Sequence, residues 1–183
     1  MRLFTIEHTV SGYRADFVVY GVAWVSLLTY LVLGTPGLMR WSVVGLSLVG
    51  IATWSLVEYV LHRFVLHHLR PFSDWHAAHH RHPTALVFTP TLLSAALMVS
   101  LVFLPALALT DLWHACGLTF GMLSGYLAYT VMHHVVHHGR ATGSWLRGLR
   151  RWHALHHAVD RGYYGVTSTF WDHVFRSGRG TRR

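Results

Sequence analysis

The sequence predicts an all-α integral membrane protein: four transmembrane helices in two hairpins, with a cytoplasmic helical cap rich in histidine. Three observations carry this reading. Of 183 residues, 52% are hydrophobic and only 12% charged, against about 25% charged in an ordinary soluble domain. Four apolar runs are each long enough to cross a bilayer, and 17 histidines gather beside those runs rather than scattering.

The elements follow in order. Met1 to Arg14 mixes Arg2, Glu7, His8 and Arg14, and has no apolar stretch of signal-peptide length. The first run, residues 17–34, has 18 residues, enough to cross a core of about 30 Å at ~1.5 Å per residue. Thr35-Pro36-Gly37 is a turn signature. The second run spans 41–61, with Glu58 its only charge. The third spans 86–109, with Pro90 and Pro105 near its ends. Thr110-Asp111 breaks the chain before the fourth run, 112–132. The cap is then 62–85 plus 133–183, and the whole chain reads as a single membrane-bound domain, 1–183.

Charge sets the orientation. All 15 basic residues are Arg, against 7 acidic residues, for a net charge of +8. With the N-terminus cytoplasmic, segments 1–16, 62–85 and 133–183 hold 14 of the 15; only Arg40 falls outside. The positive-inside rule therefore puts both termini in the cytoplasm. So apolar a chain excludes a nucleic-acid partner despite its basicity. The single cysteine, Cys116, excludes a disulfide framework and a cysteine-ligated metal.

Four histidine clusters lie in the segments assigned to the cytoplasm. They read HRFVLHH (62–68), HAAHH (76–80), HHVVHH (133–138) and HALHH (153–157). Residues at i, i+3 and i+4 share a helix face, so each HxxHH is expected to aim three imidazoles at one point. His133 and His137 form an i, i+4 pair, with His134 and His138 as a rival pair. His62 and His67, five apart, sit about 140° apart on an ideal helix; either the helix unwinds there or each serves a different metal. Ten converging imidazoles exceed the roughly four to six ligands one metal accepts, so two metals are expected. A bis-histidine haem needs fewer ligands at membrane depth. The Glu-x-x-His pairs of soluble di-iron bundles and the zincin HExxH are both missing. A metal transporter would place its ligands near the midplane, where these runs are almost free of polar groups. Metal retention is expected to weaken as pH falls through about 6.5, where free histidine titrates.

These segments, with GYYGVTSTFWDHVF at 162–175, resemble the sterol desaturase / fatty acid hydroxylase superfamily of integral-membrane di-iron oxygenases, and most of all the catalytic domain of fatty acid 2-hydroxylases. The resemblance runs from about Ser55 to Arg176 and implies ten ligands: His62, His67, His76, His79, His80, His133, His137, His153, His156 and His157. It implies two iron ions, replaceable by zinc in purified protein, with O2 as co-substrate and a lipid as substrate. The outcome would be hydroxylation, or desaturation by the same site. The His-Pro-Gly-Gly haem signature of a cytochrome b5 module is missing, and His82-Pro83 continues as Thr84-Ala85. Electrons are thus expected from a separate donor of cytochrome b5, ferredoxin or reductase type. The acids near the clusters, Glu58, Asp74, Asp160 and Asp172, are candidates for holding the ligand N–H groups. Trp54, Tyr126, Tyr129 and Phe170 read as an interfacial aromatic belt or as a substrate passage. His8, His68, His82, His114, His134, His138 and His173 fall outside the ligand set.

Overall fold

A computed structural model describes residues 9–86, 89–140, 142–159 and 161–179. Among these residues every regular element is helical. The helices are α1 (Val10–Gly34), α2 (Arg40–Val60), α3 (Phe72–Arg81), α4 (Thr91–Met98), α5 (Leu104–Leu109), α6 (Leu112–His138), α7 (Ser144–Ala158) and α8 (Phe170–Val174). Two π-helical stretches interrupt them: Leu61–Leu66 extends α2, and Val99–Phe103 joins α4 to α5. The second lies just ahead of Pro105, which has no N–H to offer the preceding turn.

Four spans are long and apolar enough to cross a membrane: Val10–Gly34, Gly37–Leu66, Thr91–Leu109 and Leu112–His138. They coincide with the four apolar runs, but their ends differ. The first helix starts before Phe17, because the Thr9 hydroxyl caps it by accepting the Gly12 N–H at 3.2 Å. The second and fourth run past Leu61 and Met132 to Leu66 and His138. A hydrophobic run marks the length that faces lipid. A helix goes on for as long as its backbone bonds close and its polar side chains have partners.

The chain divides into two compact units, Met1–Trp54 with Leu86–Leu127, and Ser55–Ala85 with Ala128–Arg183. In the first, Leu31, Val43 and Cys116 form a core, flanked by Leu27, Met39, Phe103, Trp113 and Phe120. Here α2 and α6 meet backbone to backbone: a Cβ on Gly121 would lie 2.0 Å from the Ser47 carbonyl oxygen, and one on Gly50 2.5 Å from that of Leu118. Such small-residue contacts are how helices gain packing where lipid removes the hydrophobic drive. Outward positions such as Val18, Val22, Leu33 and Leu48 are exposed and apolar, as lipid requires. Trp54 and Tyr126 are buried here with their rings edge to face at 5.3 Å, so they form no exposed belt.

The second unit holds every residue of the expected metal site. Its centre is the buried set Tyr59, His62, His156, Val166 and Asp172. The ends of α2 and α6, helices α3, α7 and α8, and the loop between α7 and α8 all contribute to it.

Candidate metal centre

Each ligand position follows from a local backbone choice. At the end of α2, the π-helical stretch Leu61–Leu66 closes i→i+5 bonds, which stack residues five apart. His62 and His67 thereby come to one side, with ring centroids 5.5 Å apart. Of the two arrangements open for this pair, the helix widens and both join one group. His76, His79 and His80 ride on α3, His133 and His137 on the last turns of α6, and His153, His156 and His157 on α7.

Two groups of four result. His62, His67, His76 and His156 form the first; His79, His133, His137 and His153 form the second. Within each, the donor nitrogens all lie within 4.8 Å of one another. His80 and His157 stand between the groups, their rings stacked at 4.3 Å. The His80 Nε2 is 3.0 Å from the Nε2 atoms of both His76 and His156, and the His157 Nε2 is 3.2 Å from that of His153.

The expectation that each HxxHH aims three rings at one point is therefore corrected. Each helix hands one histidine to each group and keeps one between them. Three residues advance a helix by about 4.5 Å, so i and i+3 reach different neighbours along the axis. Along α3 the order is first group (His76), then second (His79); along α7 it is second (His153), then first (His156). Two helices passing the cluster in opposite senses would place them so.

The donor set fits a transition metal. The His62 Nδ1–H donates to the Tyr164 carbonyl at 2.5 Å, and the His156 Nδ1–H to the Gly162 carbonyl at 2.9 Å. A carbonyl only accepts, so the proton sits on Nδ1 and the lone pair on Nε2. The Nε2 atoms face one another: His62 to His76 at 3.1 Å, His67 to His156 at 3.3 Å, His133 to His79 at 3.2 Å, His137 to His153 at 2.8 Å. Converging imidazole lone pairs suit iron or zinc. Burial also keeps the rings neutral. It pushes His67 and His80 down to about 4, His79 to about 3 and His157 to about 2, with neighbouring imidazoles adding to the effect at His67, His79 and His157. His76, His153 and His156 are likewise lowered by burial and by neighbouring imidazoles.

The acids act differently from expectation. Among the described residues, no acid is bonded to a candidate ligand ring of the two groups; the ring partners at His62 and His156 are backbone carbonyls. Glu58 and Asp172 instead bind the loop that supplies those carbonyls. Glu58 Oε1 accepts the N–H groups of Val166 and Thr167 at 2.9 Å each. Asp172 accepts those of Tyr164 (3.0 Å) and Gly165 (2.8 Å). Asp74 pairs with Arg70 at 3.6 Å on the exposed surface, and Asp160 lies outside the described residues. The carbonyls of Gly162 and Tyr164 escaped sequence reasoning, because any residue type offers a carbonyl. The one signal was the GYYG run itself.

Other histidines stand apart. His134 and His138 stack on each other at 5.0 Å, outside both groups. The His68 Nδ1–H donates to the Arg63 carbonyl at 3.0 Å and that of His173 to the Thr169 carbonyl at 2.7 Å. His114 binds Asp111 at 2.5 Å and Ser42 at 2.8 Å in the other unit. His82 is exposed, and His8 lies outside the described residues. The Tyr129 ring stacks on His133 at 5.9 Å, while Phe170 is exposed.

A family model described as fatty acid hydroxylase matches residues 47–177, a stretch that includes every histidine of both groups. The chain belongs to the fatty acid hydroxylase family. Family members similar to it include the dihydroceramide fatty acyl 2-hydroxylase FAH2 of Arabidopsis thaliana, 40% identical over 139 residues, covering 69% of this chain and 57% of that protein. The ceramide very long chain fatty acid hydroxylase scs7 of Schizosaccharomyces pombe is 32% identical over 167 residues, covering 83% of this chain and 48% of that protein. The chain thus spans about half to three fifths of these curated relatives. Among solved structures, full-length scs7p with only its hydroxylase domain visible superposes with a TM-score of 0.78 at 26% identity, over 96% of this chain and 68% of that one.

Proposed function

We propose that this chain is a membrane-embedded di-iron oxygenase that hydroxylates an unactivated C–H of a lipid acyl chain. It works as a single domain, 1–183, with both termini and the metal site on the cytoplasmic side. The observation that carries this is the pair of four-histidine groups on the second unit, joined by His80 and His157. Ten neutral imidazoles suit two metal ions and leave their charge unneutralised, which favours an electrophilic site. The names of the relatives support a fatty acyl substrate, and the Arg distribution supports the orientation.

Iron bound there would supply O2 activation and hydrogen abstraction, with one oxygen atom entering the substrate and the other leaving as water. The protein's own part is positional. Outside the spans, His67, His76, His79, His80, His153, His156 and His157 present unprotonated nitrogens, because burial denies the imidazolium its hydration. The carbonyls of Gly162 and Tyr164 hold two rings in one tautomer. The apolar spans keep the acyl chain in lipid while its reacting carbon reaches the site. Electrons come from a donor of cytochrome b5, ferredoxin or reductase type.

Lipid mass spectrometry of cells with and without the protein tests the proposal. Acyl chains gaining one oxygen, with O2 consumed by the reduced enzyme, are expected. Loss of hydrogen without oxygen gain would reassign it as a desaturase. Metal binding with no O2 consumption under any reductant would make it a metal-binding protein or transporter.

A further inference from the structure

The loop from Gly162 to Thr167 is tied down at every amide from Tyr163 onward. Its five consecutive N–H groups from Tyr163 to Thr167 donate in turn to the Ser177 carbonyl, to Asp172 twice and to Glu58 twice. Gly162 (φ 115°) and Tyr163 (φ 59°) both sit in the left-handed region, where a side chain is strained unless its surroundings hold it. At Gly165 a Cβ would lie 2.0 Å from the Ser168 carbonyl oxygen, so only glycine fits the turn. Asp172 is fully buried, and each of its oxygens accepts two bonds: Oδ1 from the Tyr164 N–H and Ser177 hydroxyl, Oδ2 from the Gly165 N–H and the Trp152 indole. The loop's two inward carbonyls then reach His62 and His156, and both belong to the first group.

We propose that Asp172 and Glu58 are positioning residues for the metal site of His62, His67, His76 and His156, acting through the Gly162–Thr167 loop and not on the other site. This rests on the two-metal reading above. The carboxylates fix the loop, the loop fixes the carbonyls, and the carbonyls fix the tautomer and plane of two ligand rings. Loss of such outer support costs about 10–100-fold in metal affinity.

The chemistry of the two carboxylates separates their conservative variants. In Asp172→Asn, whichever position the amide nitrogen takes, it points hydrogens at an N–H that cannot accept: that of Tyr164 at one position, where the Ser177 hydroxyl can turn, or those of Gly165 and the Trp152 indole at the other. In Glu58→Gln, the amide oxygen keeps both backbone N–H groups and the nitrogen faces the Thr167 hydroxyl, at 2.6 Å, which can turn and accept. Asp172→Asn should therefore damage the site, Glu58→Gln should spare it, and Glu58→Ala should damage it.

Cobalt(II) titration of the full chain, purified in detergent and stripped of metal, reads this without turnover. The visible ligand-field absorption of cobalt follows each binding event, and circular dichroism checks the fold. Two events are expected in the unaltered chain. Asp172→Asn and Glu58→Ala should weaken one of them about 10–100-fold and leave the other, with Glu58→Gln unchanged. If Asp172→Asn does not fold, Ser177→Ala decides, since it removes one donor to Asp172; it should weaken the same single event a few-fold. Equal weakening of both events, or of neither, overturns the proposal while the two-metal reading survives. Fewer than two events in the unaltered chain overturns both.

Discussion

The two histidine groups look alike in the sequence but are supported differently. The first, His62, His67, His76 and His156, depends on a π-helical turn and on a loop whose carbonyls bind two of its rings. The second, His79, His133, His137 and His153, is carried by α-helices alone. Among the described residues, the buried Nδ1 atoms of His79 and His153 make no hydrogen bond. One site is thus oriented by long-range backbone bonds and the other by helix register and packing. A symmetric set of motifs need not give two equivalent centres.

The largest effects come from removing one ligand of each group. His156→Ala and His79→Ala should each reduce lipid product below detection and cost at least one metal by elemental analysis. Retention of two metals in either variant would break the division into two groups. On α6, His133→Ala should lose metal and His134→Ala should keep it, since His133 approaches His79, at 3.2 Å between Nε2 atoms, and His134 lies outside both groups. The reverse result would move the site to His134 and His138.

Next in size is the loop that only the first group uses. Gly165→Ala should destabilise the protein by about 3 kcal/mol, because its Cβ meets backbone that must shift. The glycine in α7 with nothing within 4 Å of an added Cβ, Gly148, gives the contrast. Gly148→Ala should stabilise by about 0.5–1 kcal/mol. A thermal melt measures both, and similar melting points for the two variants would show that the loop is not rigid.

A smaller, graded effect concerns pH. In the fold, His67 and His80 are held down at about 4 and His79 at about 3, against about 6.5 when unfolded. The unfolded chain therefore takes up protons that the folded chain refuses. Stability of the metal-free protein should be full above about 6.5 and fall as pH drops towards 4. On the folded protein, protons should compete with metal at His67, His79 and His80 near pH 4 and below, a lower window than the 6.5 of free histidine. Melting curves and dialysis against chelator across this range separate the two windows. Coincident windows near 6.5 would mean that the rings are not buried.

The smallest effect is expected at His114, whose partners are Asp111 and Ser42. His114→Ala should leave metal content and lipid product unchanged.

The amino-acid sequence alone determined the helical membrane architecture and which histidines gather. Four apolar runs and a helical histidine spacing are local patterns, legible because each residue's face follows from its position in its own helix. Thus α6 alone offered His133 with His137 and His134 with His138 as pairs, and the family resemblance favoured the first. Only the tertiary structure decided how the rings are shared out. The split of His76 from His79, the widening that unites His62 with His67, and the reach of α2 and α6 past their apolar runs depend on what each helix meets. The same holds for the acids. Glu58 lies 108 residues from Val166, and His62 lies 102 from Tyr164. Backbone bonds across such separations leave no periodicity, because N–H and carbonyl groups are common to nearly every residue; folding alone selects which of them face a carboxylate or an imidazole.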